Sequence, residues 1–276
     1  MTERAGSTLV DMDIPSPDVY GDGAWHGRFR LDGKIAVVTG ASSGLGVAIA
    51  QGMAAAGADV AIGARRASML DQTRALVEGL GRRCVAVETD VTRVEDCTRL
   101  VDAAVTELGG CDVLVNNAGI GGEYHEATVD PPEHFRSVVD VNLFGSYWMA
   151  QAAGRVMPAG SAVINISSVM AVTTAKMPAA GYSAAKAGVL GMTRDLAAQW
   201  GPRGIRVNAI LPGVFLTEAT ANYSPSYQQK IIDARIPTGR LGDPVEIAGT
   251  AVFLACPASA YITGVGIPVD GGVLLL

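Results

Sequence analysis

Seven short runs of β-branched and aliphatic residues recur along the chain, at 34–39, 59–63, 83–87, 111–116, 161–167, 205–211 and 265–269, and none alternates in polarity. A strand with one wet face alternates, whereas a strand covered on both faces does not. Helical stretches at about 44–57, 67–80, 93–109, 132–154, 181–200 and 243–255 separate the runs. Strands that take turns with helices join in parallel through right-handed crossovers. The expected fold is therefore α/β: a single Rossmann-type, doubly wound parallel sheet of about seven strands with helices on both faces. The 276 residues suffice for one such domain with a full core. Its expected span is 31–276. Residues 1–30, rich in Pro, Gly, Asp and Ser and without periodicity, read as a flexible or surface-lying extension whose Trp25 and Phe29 anchor its end against the domain or a neighbouring subunit.

Charge narrows the function classes. Only 17% of residues are charged and the net charge is −6, with no basic face for a nucleic acid. The charge-free stretch between Lys34 and Asp59 is long enough to span a bilayer, but its interior, Thr39-Gly40-Ala41-Ser42-Ser43-Gly44-Leu45-Gly46, is a turn. No apolar leader follows Met1, so a soluble, cytoplasmic protein is expected. Cys84, Cys97, Cys111 and Cys256 form no CxxC pair and read as reduced, mostly buried thiols. His26, His125 and His134 stand apart from cysteines and carboxylates, so no metal site is expected; bordering the substrate is the alternative role for His125.

Ligands of such sheets lie beyond the carboxyl ends of the strands. The first strand runs into Gly40, Ser42, Ser43, Gly44, Leu45 and Gly46 before a helix of small residues. Glycines let the backbone approach a ligand, and the helix N-terminus offers free N–H groups to a pyrophosphate. Together with Thr39, this spacing resembles the TGxxxGxG motif of the short-chain dehydrogenase/reductase family. The likeness continues through Asn116-Asn117-Ala118-Gly119 (NNAG), Asp90-Val91 and Pro212-Gly213 with Thr217. The resemblance implies that Asp90 and Val91 contact the adenine, that Asn117, Ala118 and Gly119 lie beside the adenosine and ribose, and that Pro212, Gly213 and Thr217 hold the nicotinamide carboxamide. It also implies relatives among 3-oxoacyl-carrier-protein reductases and gluconate 5-dehydrogenases.

The second strand ends in Ala64-Arg65-Arg66, with no acid to bind a ribose 2′-hydroxyl. A charge-assisted bond from Arg65 to a 2′-phosphate is worth roughly 1.5–3 kcal/mol, which predicts NADP(H) over NAD(H).

Tyr182 and Lys186 lie four apart on a helical segment and share a face. A phenol titrates near 10, and a nearby ammonium is expected to lower that value and fit Tyr182 for proton exchange. Of Ser167 and Ser168, only one can face a substrate, because side chains alternate along a strand. The family resemblance favours Ser168 as the hydroxyl that steadies the carbonyl oxygen, and it assigns Asn142 to a proton relay and Lys186 to the nicotinamide ribose as well.

The expected activity is thus an NADP(H)-dependent hydride transfer between nicotinamide and a ketone or secondary alcohol. An NAD(H)-dependent alcohol or polyol dehydrogenase, or a catalytically silent cofactor sensor, is the alternative. Residues 214–238 read as a lid, and Phe215, Leu216, Tyr223, Tyr227, Ile231 and Ile232, with Met170 and Met177, point to an uncharged, fairly apolar substrate; Lys230 and Arg235 are few basic residues for a strongly anionic one. The apolar end Val273-Leu274-Leu275-Leu276, buried between subunits in such relatives, points to a homotetramer.

Overall fold

The computed structural model describes residues 20–21, 23–174, 176–221 and 224–276. Most of the expected extension, and Tyr223, lie outside these.

The seven apolar runs are seven strands: β1 (Ile35–Thr39), β2 (Asp59–Ala64), β3 (Cys84–Glu88), β4 (Val113–Asn116), β5 (Ala162–Ile166), β6 (Arg206–Pro212) and β7 (Gly266–Val269). They form one sheet in the order β3-β2-β1-β4-β5-β6-β7 with every pairing parallel. The chain winds outward from β1 to β3, then returns to set β4 beside β1. That reversal opens a crevice beyond the ends of β1 and β4.

The helices are α1 (Ala24–Gly27), α2 (Gly44–Ala55), α3 (Ala67–Gly79), α4 (Val94–Ala103), α5 (Pro132–Val139), α6 (Gly145–Gly154), α7 (Ala180–Trp200), α8 (Glu218–Ala221), α9 (Pro225–Arg235) and α10 (Pro244–Ala255). One core lies between the sheet and α2, α3 and α10, built on Val38, Ile49, Met53, Ile62 and Ile247. The other lies under α4, α6 and α7, built on Val37, Leu100, Leu114, Met149 and Leu196. Strands covered on both sides need apolar residues at every position, which is why the runs do not alternate. A capping box starts α10: Asp243 Oδ1 accepts from Val245 N at 3.0 Å and Glu246 Oε2 accepts from Asp243 N at 2.8 Å.

The helices differ from the sequence reading in three places. The stretch expected as one helix over 132–154 is α5 and α6 joined by a π turn at Asp140–Phe144, and the one expected over 93–109 is α4 followed by a π turn at Ala104–Leu108. The lid contains two helices, α8 and α9. Trp25 and Phe29 are each 43% exposed and pack edge to face on one another, with ring centroids 5.6 Å apart. The start of the domain is held by the fully buried Leu31 and by Arg28, whose carbonyl accepts from Ala258 N at 2.8 Å.

All four cysteines are free, and burial pushes the Cys84, Cys97 and Cys111 thiols up to about 12. Among the described residues, no helix is long and apolar enough to cross a membrane.

Candidate active site

Gly40 leaves β1 with φ +66°, and a Cβ there would lie 2.8 Å from Ala118 Cα. A Cβ on Gly46 would collide with the Gly40 carbonyl oxygen. Only glycine fits either place. Thr39 Oγ1 accepts from the N–H groups of Asn117 and Ala118, both at 3.0 Å, and Asn117 Nδ2 donates to Thr39 O at 2.9 Å. The end of β4 is thereby stapled to the turn after β1. Ser43 precedes α2 without a side-chain cap, so the first N–H groups of that helix face the crevice free for an anion.

Beyond β2 stands a basic pair. Arg66 donates to Ser43 Oγ at 2.7 Å and pairs with Glu218 of the lid at 3.2 Å. Arg65 is exposed and has no ion-pair partner among the described residues. At the end of β3, Asp90 Oδ1 accepts from both the N–H and hydroxyl of Thr92, at 3.0 and 2.7 Å.

The proton-handling residues gather beyond β5. Ser167 turns inward and its hydroxyl donates to Lys186 O at 2.8 Å. Ser168 lines the crevice with Tyr182, and its Oγ accepts from Met170 N at 3.1 Å. Lys186 is 4% exposed, and its Nζ donates to Ile166 O at 2.8 Å. Burial pulls its pKa down to about 8. Tyr182 is raised above the ordinary phenol value by burial, with Ser168 acting against that and nearby Tyr124 adding to it. The expected lowering of Tyr182 by Lys186 is not found in this geometry. The ammonium sits 5.7 Å from the ring centroid, is turned to the Ile166 carbonyl, and is itself easily deprotonated.

Asn142 sits in the π turn. Its Nδ2 donates to Ile120 O of the loop and to Val138 O, both at 2.8 Å, and by taking the Val138 carbonyl one helical turn back it competes with the helical ladder where the turn widens. Its Oδ1 is buried without a partner. A Cβ on Gly119 would lie 2.7 Å from that oxygen and 3.4 Å from Lys186 Nζ, so the two polar atoms converge on one small space.

His125 and His134 do not stand apart from carboxylates as their sequence separation implied. Loop 120–131 folds back on α5 and brings His125, Asp130 and His134 within 4.8 Å of one another. His134 Nδ1 shares a 2.6 Å bond with Asp130, and its Nε2 accepts from Glu123 N at 3.0 Å. Both ring nitrogens are thus committed to a clamp on the loop.

A cleft of about 670 Å³ connects these groups. Of the residues expected to serve cofactor or chemistry, all line it except Gly46, which lies beneath the phosphate turn. Gly40, Ser42, Ser43, Gly44, Leu45 and Arg65 border it at the β1–β2 end, with Asp90 and Val91. Asn117, Ala118 and Gly119 form its floor, and Asn142, Ser168, Tyr182, Lys186, Pro212, Gly213 and Thr217 its other end. The glycine cradle, the uncapped helix and the flanking arginines fit a dinucleotide with its pyrophosphate on α2.

The family pattern described as enoyl-(acyl carrier protein) reductase matches residues 40–274. A solved structure described as a short-chain alcohol dehydrogenase of Sinorhizobium meliloti 1021 is 45% identical, with a TM-score of 0.86 over 90% of this chain and 99% of that one. The chain belongs to the short-chain dehydrogenase/reductase family. As a member it is an oxidoreductase, in a family that uses nicotinamide cofactors. Galactitol 2-dehydrogenase (L-tagatose-forming) of Cereibacter sphaeroides is 41% identical, covering 88% of this chain and 96% of that protein. A solved structure from Agrobacterium tumefaciens, described as a 2-deoxy-D-gluconate 3-dehydrogenase with bound NADP, is 36% identical with a TM-score of 0.81 over 90% and 99% of the two chains.

Sequence reading missed several residues that shape the site. Asn165 Oδ1 accepts from Asn116 Nδ2 at 2.9 Å, and Asn165 Nδ2 donates to Thr193 Oγ1 at 2.9 Å. This buried chain ties β4, β5 and α7 together below Tyr182. Its signal was in view: an asparagine inside the apolar run Ile164-Asn165-Ile166 needs a partner. The His134 clamp and Tyr124, which order or line the cleft, carry no comparable local signal.

Proposed function

We propose that the chain is an NADP(H)-dependent oxidoreductase acting on a ketone or secondary alcohol. The observation that carries this reading is the cleft itself, with Tyr182, Ser168 and Lys186 at one end and, at the other, Arg65 and Arg66 beyond a β2 that ends in Ala64 rather than in an acid. The nicotinamide, when bound, supplies or accepts the hydride. Tyr182 Oη gives its proton to the carbonyl oxygen in reduction and takes it back in oxidation. The Ser168 hydroxyl orients that oxygen and stabilises its charge. Lys186, with a pKa of about 8, is poised to exchange a proton at neutral pH, and the buried Asn142 Oδ1 marks the inner end of the relay.

Support for NADP(H) is electrostatic. Arg65 lacks a partner among the described residues, and a 2′-phosphate carries the charge it needs. The bound NADP of the Agrobacterium structure agrees with this preference. The Arg66–Glu218 pair favours a second reading, NAD(H) use, because the carboxylate neutralises one of the two arginines. A secondary hydroxyl on a small polyol or sugar-like molecule suits the relatives and the Tyr124, Thr173 and Thr174 hydroxyls in the cleft, set among Met170, Met177 and Phe215. Initial rates with NADPH and NADH against polyols, keto-sugars and simple ketones, beside Tyr182→Phe and Arg65→Ala, test the reading. Tyr182→Phe is expected to lose about two to four orders of magnitude in kcat. Arg65→Ala is expected to lose roughly tenfold or more in kcat/KM for NADPH only. Equal kcat/KM for the two cofactors in the wild type would reject NADP(H), and full activity of the Phe variant would reject the assigned acid.

A further inference from the structure

The charges in the cleft are unevenly distributed along the sheet edge. Arg65, Arg66 and Asp90 lie beyond β2 and β3, at one edge. Arg235, the last residue of α9, lies at the other. The residues immediately C-terminal to it fix its position: Thr238 N donates to Gly271 O at 3.1 Å, and a Cβ on Gly271 would lie 2.9 Å from Ile236 Cγ2. Gly271 comes two residues after β7, and Gly213, directly after β6, packs on Asp270. The lid thus delivers Arg235 to the β6–β7 end, where it lines the cleft half-buried, on the side of Tyr182 and Ser168 rather than that of the phosphate turn.

No acid among the described residues balances this guanidinium. It forms no ion pair with them, and among them the one carboxylate lining the cleft is Asp90, at the opposite edge and engaged with Thr92. The acid of the neighbouring segment, Asp270, is committed to the N–H groups of Gly272 and Leu274, both at 2.9 Å. Lys186, the other cation of this half, is turned to the Ile166 carbonyl. Arginine cannot shed its charge when desolvated, so a half-buried, unpaired guanidinium draws an anion. A single arginine in a cleft that the hydroxyls of Tyr124, Thr173 and Thr174 also line matches a singly charged carboxylate on a molecule that carries hydroxyl groups. A dianionic phosphate calls for more positive charge than this half holds.

We propose that Arg235 is a substrate-carboxylate site, and that the substrate class is a hydroxy acid or the corresponding keto acid. This rests on the reading of Tyr182 as the acid–base group. The carboxylate takes no part in the bond changes; it fixes which carbon is presented to Tyr182. The proposal replaces the uncharged substrate expected from the lid's apolar residues.

The test uses matched pairs that differ only in the acid group: D-gluconate against D-glucitol, 3-hydroxybutanoate against its methyl ester, and 4-oxopentanoate against its methyl ester. Each is assayed with the full chain and NADP(H), in wild type, Arg235→Gln and Arg235→Lys. For at least one pair the wild type is expected to favour the acid by roughly tenfold in kcat/KM. Arg235→Gln should erase that ratio and Arg235→Lys should keep part of it. The same pairs are compared by the rise in melting temperature they give to the NADP⁺-bound protein, a readout that needs no turnover. An acid-selective rise lost in Arg235→Gln, but with no turnover, would retain the carboxylate site while rejecting the assigned chemistry. No acid preference in either readout, or a preference that survives in Arg235→Gln, overturns the proposal.

Discussion

Lys186 shows how much a single residue's environment can oppose its ordinary chemistry. It is fully enclosed, has one hydrogen-bond acceptor, and titrates at about 8 instead of 10.5. Between those two values the unfolded chain holds a proton that the folded chain has lost, so wild-type stability rises with pH across that window and is flat below it. Removing the amine should therefore help the fold. Lys186→Met is expected to melt higher than wild type at pH 7, by on the order of 2–3 kcal/mol once the lost bond to the Ile166 carbonyl is allowed for. The advantage should shrink from pH 8 to 10.5, and turnover should be lost. Scanning calorimetry across that range checks it, and a variant less stable at every pH contradicts it. Gly119 is the complementary case, where the side chain must be absent. A methyl there meets Asn142 Oδ1, on an amide that two hydrogen bonds from Nδ2 hold in place, and crowds Lys186 Nζ. Gly119→Ala is expected to lower kcat by about tenfold or more through displaced proton-handling groups. Gly121→Ala, whose methyl would meet nothing within 4 Å, should lose much less, and stopped-flow single turnovers would separate the two.

Among the elements, loop 120–131 has the least local encoding and the most direct bearing on the substrate. It holds no regular structure, yet Asn142 grips its Ile120 carbonyl, His134 accepts from its Glu123 N–H, and Asp130 fixes the His134 ring. Tyr124 is thereby held in the cleft near Tyr182. His134→Ala is expected to raise KM for the substrate about three- to tenfold, roughly one lost hydrogen bond, while the NADPH Kd stays close to wild type. Amide exchange at 121–124 should quicken in the same variant. An unchanged KM with slow exchange would show that the loop holds itself. The π turn at Asp140–Phe144 belongs to the same device, since the asparagine that opens it also grips the loop. Periodicity could not reveal this turn: α5 and α6 have helical spacing on either side, and one widened turn shifts the pattern too little.

At the scale of the whole molecule, the chain leaves apolar surface that its own fold does not cover. Leu275 and Leu276 are 83% and 81% exposed, and Tyr261 is fully exposed. We expect this surface to lie between subunits of a homotetramer. Removing Leu274–Leu276 should reduce the mass measured by light scattering at micromolar concentration, with the far-ultraviolet dichroism retained. A wild-type monomer under those conditions would reject the assembly.

What the sequence by itself determined is the sheet and the order of the groups along its edge. Apolar runs without alternation fit only strands buried on both faces, and glycine at 40 and 46 fits only a backbone pressed against a neighbour, so both leave a local mark. The choice between Ser167 and Ser168, by contrast, came from alternation plus family likeness; the structure turns Ser167 to the Lys186 carbonyl and Ser168 to Tyr182. Tertiary structure alone decided the pKa order of Tyr182 and Lys186, the union of His125 and His134 with their carboxylates, and the arrival of Arg235 in the cleft. Each depends on desolvation or on contact between segments distant in the chain. Residue spacing carries neither quantity, because both are set by the groups packed around a side chain and not by its neighbours in sequence.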